Sequence, residues 1–292
     1  MSLDSFKLGT TDRISGVEKA QSMANPYYKQ HWIEIDAKRH QAYDQILAYH
    51  PALEPLLRPL NLEPGLTILD VGSGPGHTTM ELARRVGSSG MVVGVDLNAD
   101  FVVAASRRAR ANKLDIGFVQ SEFPPLPFRA RSFDRVLCKN VLEYVDSAAD
   151  TVMEMTRITV DGGTVLAIDS DWDMLALSLP ERARQRSERV LAAAKSIAVK
   201  QPKIGRMLYS LFRAAGLKDV RVEVFSGADT VGRAGPMLKA SFARYARDSG
   251  QIADAEVIQW LRDIESAIAD GQYLMVLPQF VVRGTRDSRR NE

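Results

Sequence analysis

The chain has 292 residues, 45% apolar and 25% charged, with a formal net charge of +2. This is ample for one sizeable core, and the interspersed acids and bases exclude a polyanion-binding surface, so nucleic acid is not expected as a partner. A single cysteine, Cys138, excludes an internal disulfide and a cysteine zinc site, and His31, His40, His50 and His77 show no ligand spacing, so no metal is expected. No basic-then-apolar leader opens the sequence and no apolar run approaches the roughly 18 residues of a membrane span, which predicts a cytoplasmic protein without a membrane partner.

Residues 1–25 are polar, with one weak helical stretch from Asp12 to Met23. The segment Pro26 to Asp36 then crowds Tyr27, Tyr28, His31 and Trp32 together. Such rings can close a pocket as a lid or staple the following helix, 37–49, and both readings stand at this point. Pro51, Pro55, Pro59 and Pro64 predict short helical turns leading into the core. Residues 1–64 are therefore expected to form a helical extension, and residues 65–292 the core. From there strand-like runs at 66–71, 91–96, 115–120, 133–138 and 163–169 alternate with helical segments at 76–86, 98–112 and 147–159. Apolar strands so separated predict a doubly wound α/β fold, a parallel sheet with helices on both faces. Lys218 to Phe225 and Tyr273 to Gly284 read as a last strand pair, fitting an antiparallel strand at the sheet edge. They flank an insertion, 229–270, that reads as two helices and a cap. Its Met237, Leu238, Phe242, Tyr245 and Trp260 are packing residues first and candidate pocket residues second. Arg283, Arg286, Arg289 and Arg290 read as a solvated tail.

The stretch that organises the rest is Leu66 to Ala83, LTILDVGSGPGHTTMELA. An apolar strand runs into Asp70 and then into Gly72, Ser73, Gly74 and Gly76, with His77 opening a helix. Glycines let the backbone turn and let a ligand lie on the main chain, and the helix start offers unpaired N–H groups. The G-x-G-x-G spacing is neither the dinucleotide fingerprint nor a P-loop, and no Lys-Ser or Lys-Thr follows. Asp70 favours a cationic ligand over a pyrophosphate. Asp96 ends the second strand, where the carboxyl ends of an open α/β sheet face the ligand crevice, and an acid there can accept both hydroxyls of a ribose.

Four signals in order, Asp70 with its glycines, Asp96, the loop VQSEFPPLPF at 119–128 and the run SFDRVLCKNVLEYV at 132–145, resemble the class I S-adenosylmethionine (SAM) dependent methyltransferases. The likeness covers 65–170 and continues more loosely to 284, and it is nearest to small-molecule methyltransferases related to the quinone and sterol C-methyltransferases. It implies a Rossmann-like, mostly parallel seven-stranded sheet with an antiparallel last strand. It implies SAM as cofactor, S-adenosylhomocysteine as product, and a small-molecule acceptor methylated on C, N or O by in-line displacement. The cofactor contacts it implies are Tyr28, Asp70, Gly72, Ser73, Gly74, Gly76, His77, Asp96, Leu97, Glu122, Phe123, Lys139, Asn140 and Val141. Glu122 and the backbone of Phe123 take the adenine. Here the chain departs from the family's Q-G-D-A: Ser121 replaces the glycine, Glu122 the aspartate and Phe123 a small residue. Tyr144 stands where histidine is common, and Lys139-Asn140-Val141-Leu142 replaces the N-P-P-Y of DNA adenine methyltransferases, which disfavours a nucleobase acceptor.

The acceptor side offers four candidate catalytic residues, His77, Tyr28, Tyr144 and Asp171, with Asp169, Asp173 and Trp172 beside the last of them. A base is needed only if the nucleophile must lose a proton. An NAD(P)-dependent oxidoreductase and a non-catalytic methyltransferase-like binding protein are the rival readings. The aromatic N-terminal arm leaves a homo-oligomer open.

Overall fold

The computed structural model describes residues 31–287. Asp36 starts the helix α1 (Ala37–Ile46) by accepting the Arg39 N–H at 2.9 Å on its carboxylate, an N-cap that satisfies an otherwise orphaned donor. Three short turns follow, with α2 (Glu54–Leu57) between 3-10 turns at Pro51–Leu53 and Arg58–Leu60. Each turn carries a proline in its first positions, where the missing N–H costs nothing.

The core strands are β1 (Thr67–Val71), β2 (Met91–Asp96), β3 (Ile116–Gln120), β4 (Phe133–Lys139) and β5 (Thr159–Ser170). They are parallel to one another, in the spatial order β3-β2-β1-β4-β5. β1 and β2 are short and apolar on both sides, which suits only a strand buried on both faces. Alternate residues feed two cores. Leu69, Val71, Val93 and Val136 pack with Phe128, Met155 and Phe212 on one face. Ile68, Val92 and Leu137 pack with Leu82, Val86, Leu57 and Leu60 on the other. The intervening helices are α3 (His77–Val86), α4 (Ala99–Ala111) and α5 (Ala148–Ile158).

The late part of the sheet departs from the expectation in two ways. The run Tyr273 to Gly284 is not one strand. It divides at Leu277-Pro278, because proline has no N–H to give a ladder. And the final strand is not at the edge. β10 (Gln279–Thr285) lies between β5 and β7 (Lys218–Phe225), antiparallel to both, and completes a seven-stranded sheet whose edge is β7. Burial explains the placement: Val281 and Val282 are buried, whereas Val222 and Val224 of β7 stand exposed. Arg283 and Arg286, read as tail, belong to this ordered end; Arg286 donates through Nη1 to the carbonyls of Thr156, Arg157 and Thr159. Arg289 and Arg290 lie outside the described residues.

The cap also differs. It is built from two stretches rather than from 229–270 alone. The helix α6 (Glu181–Ala198) follows β6 (Ala176–Ser178) and precedes α7 (Ile204–Ala214), and it packs against the inserted helices α8 (Ala243–Asp248) and α9 (Asp254–Ala269). The buried side of α6 is Ala183, Ser187, Val190, Ala193, Ala194 and Ala198, so small residues carry its apolar stripe and the sequence signal is weak. Ion pairs Arg186–Asp263 and Arg189–Glu256 fasten α6 to α9. Leu238, Phe242, Tyr245 and Trp260 are buried in the cap's own core, with Met237 packed against it. The strand β9 (Leu274–Val276) joins β6 and β8 (Ala228–Asp229) in a separate three-stranded sheet beneath the cap. No described helix is long and apolar enough to cross a membrane.

Candidate active site

The turn after β1 is where backbone geometry demands glycine. Gly72 and Gly74 have φ of +70° and +51°, and a Cβ on Gly72 would stand 2.2 Å from Cγ2 of Val141. The turn is anchored to β2 by the N–H groups of Gly72 and Ser73, which both donate to the Val95 carbonyl. Asp96 clamps it from the side. Its Oδ2 accepts from Gly74 N at 2.7 Å and its Oδ1 from Asn98 N at 2.9 Å. Burial nonetheless pushes the Asp96 carboxyl above its ordinary value. Asn98 in turn caps α4 through Phe101 N and donates its side-chain amide to the Trp32 carbonyl at 2.7 Å. A line of hydrogen bonds therefore runs from the glycine turn through Asp96 and Asn98 to the N-terminal segment.

These exits open onto a cleft enclosing about 860 Å³, its mouth included. Its lining brings together Gly72, Gly74, Asp96 and Leu97 from the ends of β1 and β2, Glu122 and Phe123 after β3, and Lys139 at the end of β4 with Asn140, Val141 and Tyr144 beyond it. All of these are positions the sequence singled out as candidates, and in the chain they are spread over some seventy residues. Among the described residues of the lining, Lys139 is the only basic side chain; burial lowers its pKa while the charges of Asp70, Asp169 and Glu143 raise it. Burial pushes the Tyr144 phenol well above its ordinary range, so it stays protonated and donates.

Trp32, Leu47, Phe101, Val145 and Asp146 complete the lining. Trp32 was read as part of an aromatic arm, and here it meets Tyr144 edge-on with ring centroids 5.0 Å apart. Its neighbour His31 is buried, with Nε2 2.6 Å from the Tyr43 hydroxyl and 3.1 Å from that of Tyr245 on α8. That contact joins the N-terminal segment to the cap. Burial, and then the charges of Arg39 and Arg244, press the His31 pKa down to about 3. Leu47 and Phe101 were not singled out, because an apolar residue on an amphipathic helix carries only a packing signal. Val145 closes the 132–145 run and Asp146 directly follows it, and that adjacency is the available hint.

Other candidates lie elsewhere. Asp70 is buried below the turn, where its Oδ2 accepts the Thr79 hydroxyl at 2.7 Å and burial raises its pKa to about 6. Ser73 is buried with its hydroxyl unpartnered. Gly76 is the N-cap residue of α3, and a Cβ there would press on Ala105 at 2.8 Å. His77 does not line the cleft; its Nε2 lies 3.0 Å from Asp44 Oδ1, and Arg108 binds the same oxygen at 2.6 Å, so the three tie α1 to α3 and α4. Asp171 is fully buried and gripped by Arg206 at 2.6 and 2.7 Å, because the chain turns away from the crevice at the end of β5. Trp172 is a cap residue rather than a cleft wall: it packs on Phe242 and donates through Nε1 to Glu143. Tyr28 and Tyr27 lie outside the described residues.

Behind the cleft floor Glu143 and Asp169 form a buried pair. Asp169 Oδ2 accepts from Leu142 N at 3.0 Å and Val141 N at 3.3 Å. Burial and mutual proximity push both carboxyls above their ordinary values. Asp169 Oδ1 is buried and accepts no hydrogen bond.

Comparison with known proteins agrees with this geometry. Residues 62–216, more than half of the chain, match the family model described as a methyltransferase domain. The chain belongs to the class I SAM-dependent methyltransferase family. A 2-phytyl-1,4-naphtoquinone methyltransferase of Trichormus variabilis is 33% identical over 109 residues, covering 37% of this chain and 48% of that protein. An uncharacterized 37.1 kDa protein in transposon TN4556 of Streptomyces fradiae is 31% identical over 164 residues, 55% of this chain and 46% of that one. The chain thus spans about half the length of the curated relatives it matches. A putative methyltransferase from Bacillus halodurans superimposes with a TM-score of 0.58 at 20% identity, over 82% of this chain and all of that one, and shares the fold.

The cleft suits the family's cofactor. SAM carries an ammonium and a sulfonium, a carboxylate, a ribose diol and a flat base. The lining sets Asp96, Glu122 and Asp146 against the single cation Lys139, with Trp32, Phe101, Phe123 and Tyr144 as apolar walls. Each Asp96 oxygen is already bonded to one backbone N–H and keeps a second lone pair for a hydroxyl. The close approach of Val141 to Gly72 leaves room for no side chain on the turn.

Proposed function

We propose that the cleft binds SAM and that the protein transfers its methyl group to an apolar small molecule, quinone-, isoprenoid- or natural-product-like in body. The observation that carries this reading is the convergence of the glycine turn, Asp96 and Glu122 on one cleft whose remaining walls are largely apolar. The naphthoquinone substrate named for the Trichormus relative supports the acceptor class.

When bound, SAM supplies a methyl group already activated by its sulfonium. In this reading Asp96 holds the ribose hydroxyls, Glu122 and the Phe123 backbone take the adenine, and Lys139 to Val141 border the methionine end. His77 and Asp171 are committed to Asp44 and to Arg206, so neither serves as a base. The protein's contribution is alignment and exclusion of water, effects that together supply up to roughly 7–11 kcal/mol in well-oriented reactions. Trp32 acts as a lid over the cleft, and Tyr144, whose hydroxyl is hydrogen-bonded to Glu143, forms part of its wall.

Calorimetric titration with SAM and S-adenosylhomocysteine, on wild type and Asp96→Ala, tests the cofactor assignment. Micromolar binding that the substitution abolishes supports it, and an acceptor screen with labelled SAM and naphthoquinols then tests the substrate class. Absence of binding by folded protein, with NADH binding in the same format, would replace this reading with an oxidoreductase.

A further inference from the structure

A second cavity lies between the 3-10 turn Arg58–Leu60 and strands β7 and β10, and shares no residue with the cleft. Arg58, Pro59, Arg221, Glu223, Val281 and Arg283 line it. The register of the antiparallel pair sets Arg283 directly opposite Arg221 and Val281 opposite Glu223. Two guanidiniums therefore leave the same face of the sheet side by side, an arrangement that costs stability unless an anion joins them. Glu223 is the one carboxylate in the lining, and among the described residues the side chains of Arg58, Arg221 and Arg283 make no hydrogen bond or ion pair. The Nε–H of Arg283 is buried without an acceptor, and a buried donor left so is rare.

Nearby Arg135 is a donor only, its fork is spent on the carbonyls of Leu60, Asp134 and Asn61, and the charges of Asp134 and Glu63 lie against its own. Burial lowers the Arg135 pKa, the charges of Asp134 and Glu63 raise it, and the Arg283 charge lowers it. The lining itself holds three arginines and one glutamate, so two positive charges remain unbalanced. A carboxylate ligand would balance one of them. A phosphate monoester would balance both, and its oxygens match the paired donors of guanidinium forks.

We propose that this cavity is a binding site for a phosphate group, separate from the cofactor cleft and independent of the methyl-transfer reading. The group belongs to a soluble phosphorylated compound or to the headgroup of an anionic lipid, and the chemistry at the arginines is the same for both.

The test compares full-length wild type with Arg283→Gln, Arg221→Gln and the exposed Arg58→Gln, at constant ionic strength so that screening is equal throughout. Inorganic phosphate is the soluble probe, and phosphatidylcholine vesicles with and without phosphatidic acid are the lipid probe. Phosphate should raise the wild-type melting temperature, with affinity lost by about tenfold or more in Arg283→Gln and less in Arg58→Gln. In phosphate-free buffer Arg221→Gln should melt higher than wild type, because it relieves the opposed charges. Vesicle binding that requires both phosphatidic acid and Arg283 would place the group on a lipid. Equal responses of wild type and all three variants to both probes would overturn the proposal.

Discussion

Trp32 stands edge-on to Tyr144, ring centroids 5.0 Å apart at 67°, so a residue from the N-terminal segment and one from the exit of β4 make adjacent walls of the same cleft. Its carbonyl is held by Asn98, which also binds Asp96. Trp32 and Asp96 are thus joined in one hydrogen-bonded unit. Trp32→Ala should weaken SAM by about tenfold, the equivalent of about 1.4 kcal/mol, while the core melts at nearly its usual temperature. Titration beside a melting curve checks it; unchanged affinity would show that the indole only packs.

Asp96→Asn keeps the shape of the clamp and removes its charge. Hydrogen bonds to a charged group contribute about 1.5–3 kcal/mol each, so SAM affinity should fall roughly 10- to 100-fold. Asp96→Ala should add a loss of stability, because Gly74 N and Asn98 N would lose their acceptor. Denaturant curves of the two variants separate the effects.

Gly72→Ala introduces both a clash with Val141 and a positive-φ penalty. The strain at such a backbone position costs of order 1–3 kcal/mol. Adding Val141→Ala should recover the steric part and leave the conformational part. A double-mutant cycle in urea measures the recovery, and complete additivity of the two losses would refute the contact.

His31 gives the N-terminal segment a pH dependence. Folded His31 resists protonation down to about 3, whereas the unfolded residue titrates near 6.5. Between those values the unfolded chain binds the extra proton, so stability falls as pH drops below 6.5 and is unaffected above it. The full shift corresponds to about 5 kcal/mol at most. His31→Gln should melt closer to wild type at pH 5 than at pH 7, and a constant gap across that range would count against the assignment.

Glu143 acts in the opposite sense. Its folded pKa is raised from 4.5 to about 7, so the folded chain binds more protons in that window. The stabilisation is complete below pH 4.5 and is lost as pH rises through 7. Glu143→Gln, which keeps an acceptor for the Trp172 indole N–H, should flatten the decline in melting temperature between pH 5 and pH 8. A slope equal to wild type would show that the proton resides elsewhere.

Much of this protein was legible in its residue pattern. Apolar runs with turn residues between them fix the strand ends, because a strand buried on both faces has no other composition open to it. Gly72, Asp96, Glu122 and Lys139 each follow such a strand, and strand ends on one edge of a parallel sheet must converge. Position along the chain therefore sufficed to place them at the cleft. The tertiary structure decided what depends on partners far away in sequence. His77 could serve as a base until Asp44 is seen beside it, and Asp171 until Arg206 is. Helix α6 hides its buried face in alanine, whose apolar signal emerges only when Phe242 and Trp260 pack on the cap. The Arg221–Arg283 pairing follows from the β7–β10 register, and no local pattern encodes which strand lies next to which. Local propensity acts over a few residues, whereas charge pairing and burial act across space, and space is assigned only when the chain is folded.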